Sequence, residues 1–257
     1  MAYTNSSLVS YTNLSPNCNK PRNHVIDTIT IHCYVGQVTA KRGVDGFAKS
    51  SRQASCNYVV GYDGKIGLCV EEKNRSWCSS NKANDHRAIT IEVASDTKHP
   101  YAVTDKAYKA LIELIADICK RNNIKQLLWK GDKKLIGNVD QQNMTVHRWF
   151  AAKACPGDYL YNKHGEIAAE VNKRLGIKEP VKEPSKEVAV FKPYKVKVTA
   201  TSLNIRKGAG TNTQKVGVIK DKGVYTIVEE RNGTGAKKWG KLKSGAGWIS
   251  LDYVKKV

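Results

Sequence analysis

Near its N-terminus the chain reads Thr28-Ile29-Thr30-Ile31-His32, and this stretch decides the fold of the first domain. Alternating apolar and polar residues predict a β-strand of a half-covered sheet, with the isoleucines on one face and His32 on the other. The stretch Ala88-Ile89-Thr90-Ile91-Glu92-Val93 alternates in the same way. We therefore expect a second strand whose polar face carries Glu92 on the same side as His32.

Turn and helix signals surround these two strands. Asp63-Gly64 lies between apolar runs and is the favoured two-residue turn of a β-hairpin. Thr104 is placed to cap one helix, and Asp158 to open another that runs to Leu175 with Gly176 at its end. The sequence thus predicts an α/β mixed-sheet domain with flanking helices and a site cleft on one face of the sheet.

The composition changes after this region. Residues 178–187 alternate positive and negative charges and place a proline at every fourth position, which forbids a helix and favours an extended chain. We predict a first domain at 1–176, a Lys/Glu/Pro linker at 177–194 and a second domain at 195–257. Short apolar runs separated by Gly, Asn and Lys in the second domain are typical of a small all-β barrel.

The chain of 257 residues has a formal net charge of +20, unevenly distributed. Residues 195–257 hold 14 Lys and Arg against 4 Asp and Glu, a net charge of +10. Such a patch steers association with polyanions in a salt-sensitive way, and nucleic acid and the anionic polymers of a bacterial wall are both candidates. Aromatic and basic residues are not interleaved in any nucleic-acid-binding module, so we expect no nucleic-acid partner.

Targeting and cysteine signals are weak. No apolar run approaches the roughly 18 to 20 residues that span a bilayer, and residues 1–7 are polar where a secretory signal needs an apolar stretch. We expect no membrane insertion, and either cytoplasmic synthesis with release at lysis or secretion after removal of a signal. Seven cysteines without a tight repeat predict no disulfide framework, and the sequence leaves open only a Cys69–Cys78 pair in oxidising surroundings.

Three residues suit a metal ion by type. His32, His147 and Cys155 offer two imidazoles and one thiolate, which fit Zn²⁺ and leave its fourth tetrahedral position open, as in catalytic zinc sites. His32 and His147 lie 115 residues apart, however, and no rule of local geometry brings them together. Residue types alone therefore do not establish the site.

Four pieces of the chain resemble the zinc-dependent N-acetylmuramoyl-L-alanine amidases, a family shared by phage endolysins, bacterial autolysins and peptidoglycan recognition proteins. These pieces are residues 28–32, 57–64, 88–93 and 147–157, in the family's order. Each piece is weak alone, but four in sequence are specific. The resemblance covers about residues 20–176, and it implies the family's fold and action at the bacterial cell wall.

The resemblance also implies roles for five residues. It assigns His32, His147 and Cys155 to Zn²⁺, and places Glu92 where related amidases carry a catalytic glutamate. Lys153 stands two residues before the cysteine, as in the family. A zinc-activated water would cleave the amide between N-acetylmuramic acid and L-alanine of peptidoglycan, with Glu92 moving the proton and Lys153 stabilising the tetrahedral intermediate.

Two positions depart from the family's pattern. Many relatives have a histidine where Asn57 stands, and a histidine often follows the tryptophan where this chain has Cys78. These departures shift the catalytic role to Glu92 and leave Asn57 as a substrate hydrogen-bonding group.

The second domain carries a resemblance of its own. Residues 203–211 and 247–254 are similar to the opening and closing signatures of bacterial SH3-type domains, which implies a module that binds the cell wall. The alternative to an amidase is a non-catalytic peptidoglycan recognition protein with the same fold.

Overall fold

The computed structural model describes residues 3–177, 191 and 193–257. The chain forms two compact units that divide between Pro180 and Val181. Most of the predicted linker at 177–194 lies outside the described residues, so the linker and its boundaries stay predictions. Within the described ranges, no helix is both long enough and apolar enough to cross a membrane.

The first unit combines short strands with four helices. Its strands are β1 (Val9–Thr12), β2 (Cys18–Asn19), β3 (Thr28–Cys33), β4 (Tyr58–Val60), β5 (Ile66–Leu68), β6 (Arg75–Ser76), β7 (Ala88–Val93) and β8 (Met144–Thr145). Its helices are α1 (Ala40–Phe47), α2 (Lys82–Arg87), α3 (Asp105–Arg121) and α4 (Gly157–Arg174).

The central sheet has six strands in the order β1-β5-β4-β7-β3-β8. It is mixed, because β4 and β5 pair antiparallel while β3 pairs in parallel with both β7 and β8. The β3 and β7 strands are in register residue by residue, so that His32 pairs with Glu92. The α/β mixed-sheet prediction is confirmed, and the register places the two polar side chains on one face of the sheet.

Helices α3 and α4 cover one face of the sheet and form the main hydrophobic core with it. The Thr104 side chain caps α3 by accepting a hydrogen bond from the Ala107 N–H, as the sequence predicts. Leu111, Leu114 and Ile118 are fully buried on the inner side of this helix. The fourth helix begins one residue earlier than predicted and ends before Leu175.

Two local predictions need correction. All six residues of β3 are buried, so the sheet is not half-covered: the polar face is closed by hydrogen-bonded side chains, including a 2.7 Å contact between the hydroxyls of Thr30 and Thr145. The hairpin between β4 and β5 forms, but Gly61 N–H already donates to the Lys65 carbonyl, which leaves a three-residue turn. Gly64, with a φ of 83°, supplies the left-handed conformation that this turn requires.

The second unit is all-β. Its strands are β9 (Tyr194–Val198), β10 (Leu203–Arg206), β11 (Lys215–Ile219), β12 (Val224–Gly233), β13 (Ala236–Leu242), β14 (Trp248–Ser250) and β15 (Val254–Lys256). They pair antiparallel in the order β11-β10-β14-β13-β12-β9-β15 around a small core that includes Val196, Ile227 and Ile249. This unit confirms the predicted all-β region and is consistent with an SH3-like domain, and its last strand was not foreseen.

Candidate metal centre

His32 occupies the end of a central, fully buried strand. It is the fifth residue of β3 and is itself 0% exposed, which fixes the imidazole in one place. Its Nδ1 lies 3.3 Å from the Cys155 Sγ, and its Nε2 lies 3.4 Å from the Ser79 Oγ. One nitrogen therefore faces a sulfur ligand, while the other has a hydroxyl to hold its tautomer.

The other two predicted ligands come from one loop. His147 opens a short 3-10 turn that directly follows β8, and its ring centroid lies 5.1 Å from that of His32. Arg148 links this turn to Cys155, because its N–H donates to the Cys155 carbonyl at 3.1 Å and its Nη2 donates to the Ala154 carbonyl at 2.6 Å. The loop thus presents His147 and Cys155 to His32 together.

The three donor atoms converge. One ligand atom from each of His32, His147 and Cys155 lies within 4.8 Å of the other two. Ligands of a tetrahedral Zn²⁺, at about 2.0 to 2.3 Å from the ion, are about 3.5 Å apart. The separation and the donor types therefore fit one zinc ion with a fourth position for water or substrate.

Electrostatics keep both imidazoles in the form that binds a metal. Burial, together with the neighbouring His147, lowers the pKa of His32 to about 3. Burial and the charge of Lys153 lower the pKa of His147. Both rings are consequently neutral at pH 7. The Cys33 thiol and burial raise the pKa of Cys155 well above its usual range, so a bound cation would have to displace the thiol proton.

Glu92 lies beside this cluster. Its Oε2 is buried and has no hydrogen-bond partner among the described residues, and its Oε1 contacts only the Cys78 Sγ, at 3.9 Å. Burial raises the pKa of Glu92 to about 7. A buried carboxyl with an unpartnered oxygen and a pKa near neutrality can accept or release a proton at pH 7.

A second group of candidate ligands shares one residue with the first. His32, Cys78 and Glu92 also offer ligand atoms within 4.8 Å of one another. The Cys78 thiol therefore lies within the site. From the sequence, this position is notable only because related amidases often have a histidine there. Because His32 belongs to both groups, the two groups are parts of one candidate centre.

Lys153 is brought close to the ligands but is not part of them. It is exposed on the loop between His147 and Cys155, and its positive charge acts on the His147 ring. The structure thus places four of the predicted site residues around one point and the fifth at its rim.

A polar network beneath the site was not predicted. The Asn84 side chain donates to both the Thr30 and the Ser79 hydroxyls at 3.1 Å and accepts from the Thr145 hydroxyl at 2.8 Å. Asp85 accepts the backbone N–H groups that hold the Ser79 turn. No local sequence signal indicates this network, because its members come from four separate segments.

The role expected for Asn57 is wrong. The residue is fully buried, donates its amide to the Val70 carbonyl at 3.1 Å and accepts from the Thr90 N–H at 3.1 Å. It ties β4 to β7 and has no access to a substrate. Among the cysteines of the described residues, all of which are free thiols, the Sγ atoms of Cys56 and Cys69 lie 3.7 Å apart.

A groove of about 680 Å³ opens beside His147. Its lining is polar and aromatic, with two cations, Arg75 and Lys82, against one carboxylate, Asp85, and it includes Trp77 and His86. Trp77 Nε1 donates to the Asn19 side chain at 2.7 Å, which orients the indole along the groove. This volume is that of a small-molecule site, and of the three candidate ligands His147 lines it.

Comparison with known proteins identifies the family. The family model described as N-acetylmuramoyl-L-alanine amidase matches residues 22–158, which is more than half of the chain. The chain belongs to this family. The matched segment contains His32, Glu92, His147 and Cys155. Among curated proteins, none matches the sequence at a significant level.

Several solved structures are similar to the first unit. A mutant endolysin from Bacillus subtilis has 18% sequence identity and a TM-score of 0.47, with 63% of this chain and 99% of that chain covered. A selenomethionine derivative of AmpD has 17% identity and a TM-score of 0.45, covering 65% and 99%. The Drosophila peptidoglycan recognition protein SA has 14% identity and a TM-score of 0.45, covering 60% and 90%.

Proposed function

We propose that this protein is a peptidoglycan hydrolase that cleaves the amide bond between N-acetylmuramic acid and L-alanine of the stem peptide. Membership of the amidase family supports the class of bond. The observation that carries the proposal is the convergence of His32, His147 and Cys155 next to Glu92, whose Oε2 is buried and free. A complete donor set beside an available carboxyl argues against a recognition protein without turnover.

His32, His147 and Cys155 would hold the metal through two imidazole nitrogens and a thiolate. Zn²⁺ bound there would supply the Lewis acid that polarises the scissile carbonyl and lowers the pKa of the attacking water. The polar network under β3 supports this assignment, because the Ser79 and Ser80 hydroxyls lie 3.4 and 3.0 Å from the Nε2 atoms of His32 and His147. Such partners orient imidazole ligands and fix their tautomers.

Glu92 would act as the general base and then as the general acid. A carboxyl whose pKa is about 7 is partly ionised at neutral pH, so it can take the proton of the attacking water and return it to the departing L-alanine amine. Lys153, exposed at the rim and acting electrostatically on His147, would stabilise the negative charge that develops on the carbonyl oxygen.

The groove beside His147 would take the glycopeptide. Arg75 and Lys82 in its lining would favour the carboxylates that stem peptides carry, and Trp77 offers an apolar face. The second unit would hold the enzyme on the wall, through peptidoglycan or its anionic polymers. The site of action is then the bacterial cell wall, whichever route brings the protein there.

The proposal is tested on purified cell walls. We expect turbidity to fall and new L-alanine amino termini to appear, both to be abolished by a chelator, and both to return on addition of Zn²⁺. Elemental analysis of the purified protein should give about one zinc per chain, and His32→Ala should lose it. Wall binding without release of amino termini would select the non-catalytic recognition protein instead.

A pair of lysine variants tests whether Lys153 stabilises the negative charge that develops during the reaction. Lys153→Ala should lower kcat by roughly 10- to 100-fold with little change in zinc content, because one stabilising charge is removed. Lys109→Ala, which removes an exposed charge from α3, is the matched control and should retain full activity. Equal activity of the two variants would remove Lys153 from the mechanism.

A further inference from the structure

The second unit carries its excess positive charge in an ordered pattern. Three of its strands, β12, β9 and β15, lie side by side at one end of the sheet. Within β9, Val196 and Val198 are each 1% exposed and face the core, whereas Lys195 and Lys197 are exposed. Alternation along the strand therefore directs both lysines away from the core.

The register adds a third lysine to this surface. Lys197 pairs directly with Lys255 on β15 and with Val224 on β12, and Lys195 pairs with Thr226. Directly paired residues share a face of the sheet and lie about 4.5 to 5.5 Å apart at Cβ. We call this surface, formed by Lys195, Lys197 and Lys255, the lysine face.

The charges of the lysine face are not neutralised by the protein. In residues 195–257 the four carboxylates are engaged elsewhere: Glu229 pairs with Arg231 and Lys241, and Glu230 pairs with Lys238. The other two accept hydrogen bonds from the Tyr225 hydroxyl and the Lys237 N–H. No salt bridge to the lysine face occurs in the described part of this unit, although like charges on directly paired positions are destabilising.

Protection of a sheet edge does not explain the pattern. Lysines on an edge strand discourage pairing with other chains, and β15 is an edge strand. Lys195 and Lys197 lie on β9, however, which is paired on both sides. Because no carboxylate in the described part of this unit offsets their repulsion, these exposed charges are available to an external anion.

We propose that the lysine face binds a flexible linear polyanion with phosphodiester repeats, of the kind that teichoic acids carry in bacterial walls. Lysine ammonium groups bind phosphate as point charges, and three of them on adjacent strands offer successive contacts to one chain. In the described strand pairs the lysines of this face have Val224, Thr226 and one another as partners, and no arginine or aromatic residue that could read bases. The choice of a wall polymer rests on the proposed function.

The test uses the full-length protein and purified poly(glycerol phosphate) teichoic acid. Lys197→Gln with Lys255→Gln removes two charges from the lysine face. Lys238→Gln with Lys241→Gln removes two charges that are already paired with Glu230 and Glu229, and is the matched control. We expect a roughly tenfold loss of affinity in the first variant and less than a twofold loss in the second.

A third variant separates charge from folding. Lys197→Arg with Lys255→Arg should bind as the wild type does, and its affinity should fall steeply with added salt. Equal losses in the two glutamine variants, or unchanged binding by the first, would overturn the proposal. Tighter binding of double-stranded DNA than of teichoic acid under the same conditions would also overturn it.

Failure of the hydrolase proposal can be distinguished from failure of the lysine-face proposal. On walls stripped of phosphate polymers, the lysine-face variant should release L-alanine amino termini at the wild-type rate, because the face takes no part in the reaction. On intact walls the same variant should sediment less with the walls than the control. Teichoic acid binding without any hydrolysis would support the lysine face and refute only the amidase activity.

Discussion

Two glutamates of the first unit have buried carboxyl oxygens in contrasting surroundings. Glu72 is 0% exposed, and its Oε1 accepts from the Tyr58 hydroxyl and from the Arg121 guanidinium, each at 2.6 Å. Its Oε2 accepts from Asn122 at 2.9 Å. Glu92 has only a thiol near one oxygen and nothing in hydrogen-bond reach of the other among the described residues.

This difference indicates a structural role for the Glu72 carboxylate, whereas the surroundings of Glu92 suit proton transfer. Both oxygens of Glu72 accept hydrogen bonds, so the carboxylate joins β4 to α3, while the Glu72 backbone N–H donates to the Asn5 side chain in the N-terminal segment. The Glu92 carboxyl lacks such partners, and its burial raises its pKa toward neutrality. A buried polar atom without a partner in the described structure needs a reason, and proximity to three candidate metal ligands provides one.

Substitution of Glu92 should have the largest effect. Glu92→Gln removes the proton acceptor but keeps the shape of the side chain, so we expect hydrolysis to fall roughly 10²- to 10⁴-fold. Zinc content, wall binding and the free energy of unfolding should change little. Release of amino termini from walls measures the first effect and elemental analysis the second; undiminished turnover would place the base elsewhere.

The matched change at Glu72 should give the opposite result. Glu72→Gln leaves the Arg121 guanidinium without its buried partner, so the free energy of unfolding should fall by about 3 kcal/mol. Activity per folded molecule should stay near that of the wild type. Urea denaturation and a wall-lysis assay below the transition check both parts, and a loss of activity without loss of stability would contradict the comparison.

His164 tests whether an unpartnered buried atom always signals function. Its Nδ1 donates to the Leu160 carbonyl at 2.7 Å, its Nε2 is buried without a partner in the described structure, and burial lowers its pKa to about 4. The unfolded chain binds a proton here near pH 6.5 while the folded protein does not, so acidification favours unfolding.

The free energy of unfolding should therefore decrease as the pH falls. Between pH 7 and pH 5 this group should remove about 2 kcal/mol of stability, and His164→Gln should abolish that part of the loss. Urea denaturation of both proteins at the two pH values measures the difference. We expect His164→Gln to hydrolyse walls normally, because the residue contacts Trp129 and lies outside the metal centre. Parallel pH profiles would refute the assignment.

The smallest effect is expected at Arg148, which orders the ligand loop without contacting the metal. Arg148→Ala removes the bond to the Ala154 carbonyl and the ion pair with Asp158, so we expect zinc affinity to fall about tenfold. Arg174→Ala removes a partly exposed arginine with two ion pairs and is the control. Chelator competition measures the affinities, and equal values would show that the loop orders itself.

Local patterns in the sequence predict much of the fold. Alternation identifies β3 and β7, Thr104 marks the start of α3, and short apolar runs indicate an all-β second unit. The length of the hairpin turn and the strand at Val254–Lys256 escape this reasoning, because a three-residue turn and a short edge strand leave weak signals. The burial of both faces of β3 depends on a network of side chains from distant segments.

The candidate site is predicted less directly. The types of His32, His147 and Cys155 suit zinc, but the family resemblance, and not spacing, joins them. Cys78 and Ser79 lie at the site because Asp85 accepts hydrogen bonds from their backbone N–H groups. Asn57 is not part of the site, because its side-chain amide donates to the Val70 carbonyl. The roles of the ligands, Glu92 and Lys153 stay predictions that the experiments above address.

The sequence by itself determined which residues can form strands and helices, where positive charge accumulates, and which side chains are able to bind zinc. These properties depend on neighbours along the chain and on residue chemistry. Only the tertiary structure decided that His32 pairs with Glu92, that the Sγ of Cys155, 123 residues along the chain, lies 3.3 Å from the Nδ1 of His32, and that Lys197 faces Lys255. Such pairings depend on long-range register and packing, which no local pattern encodes.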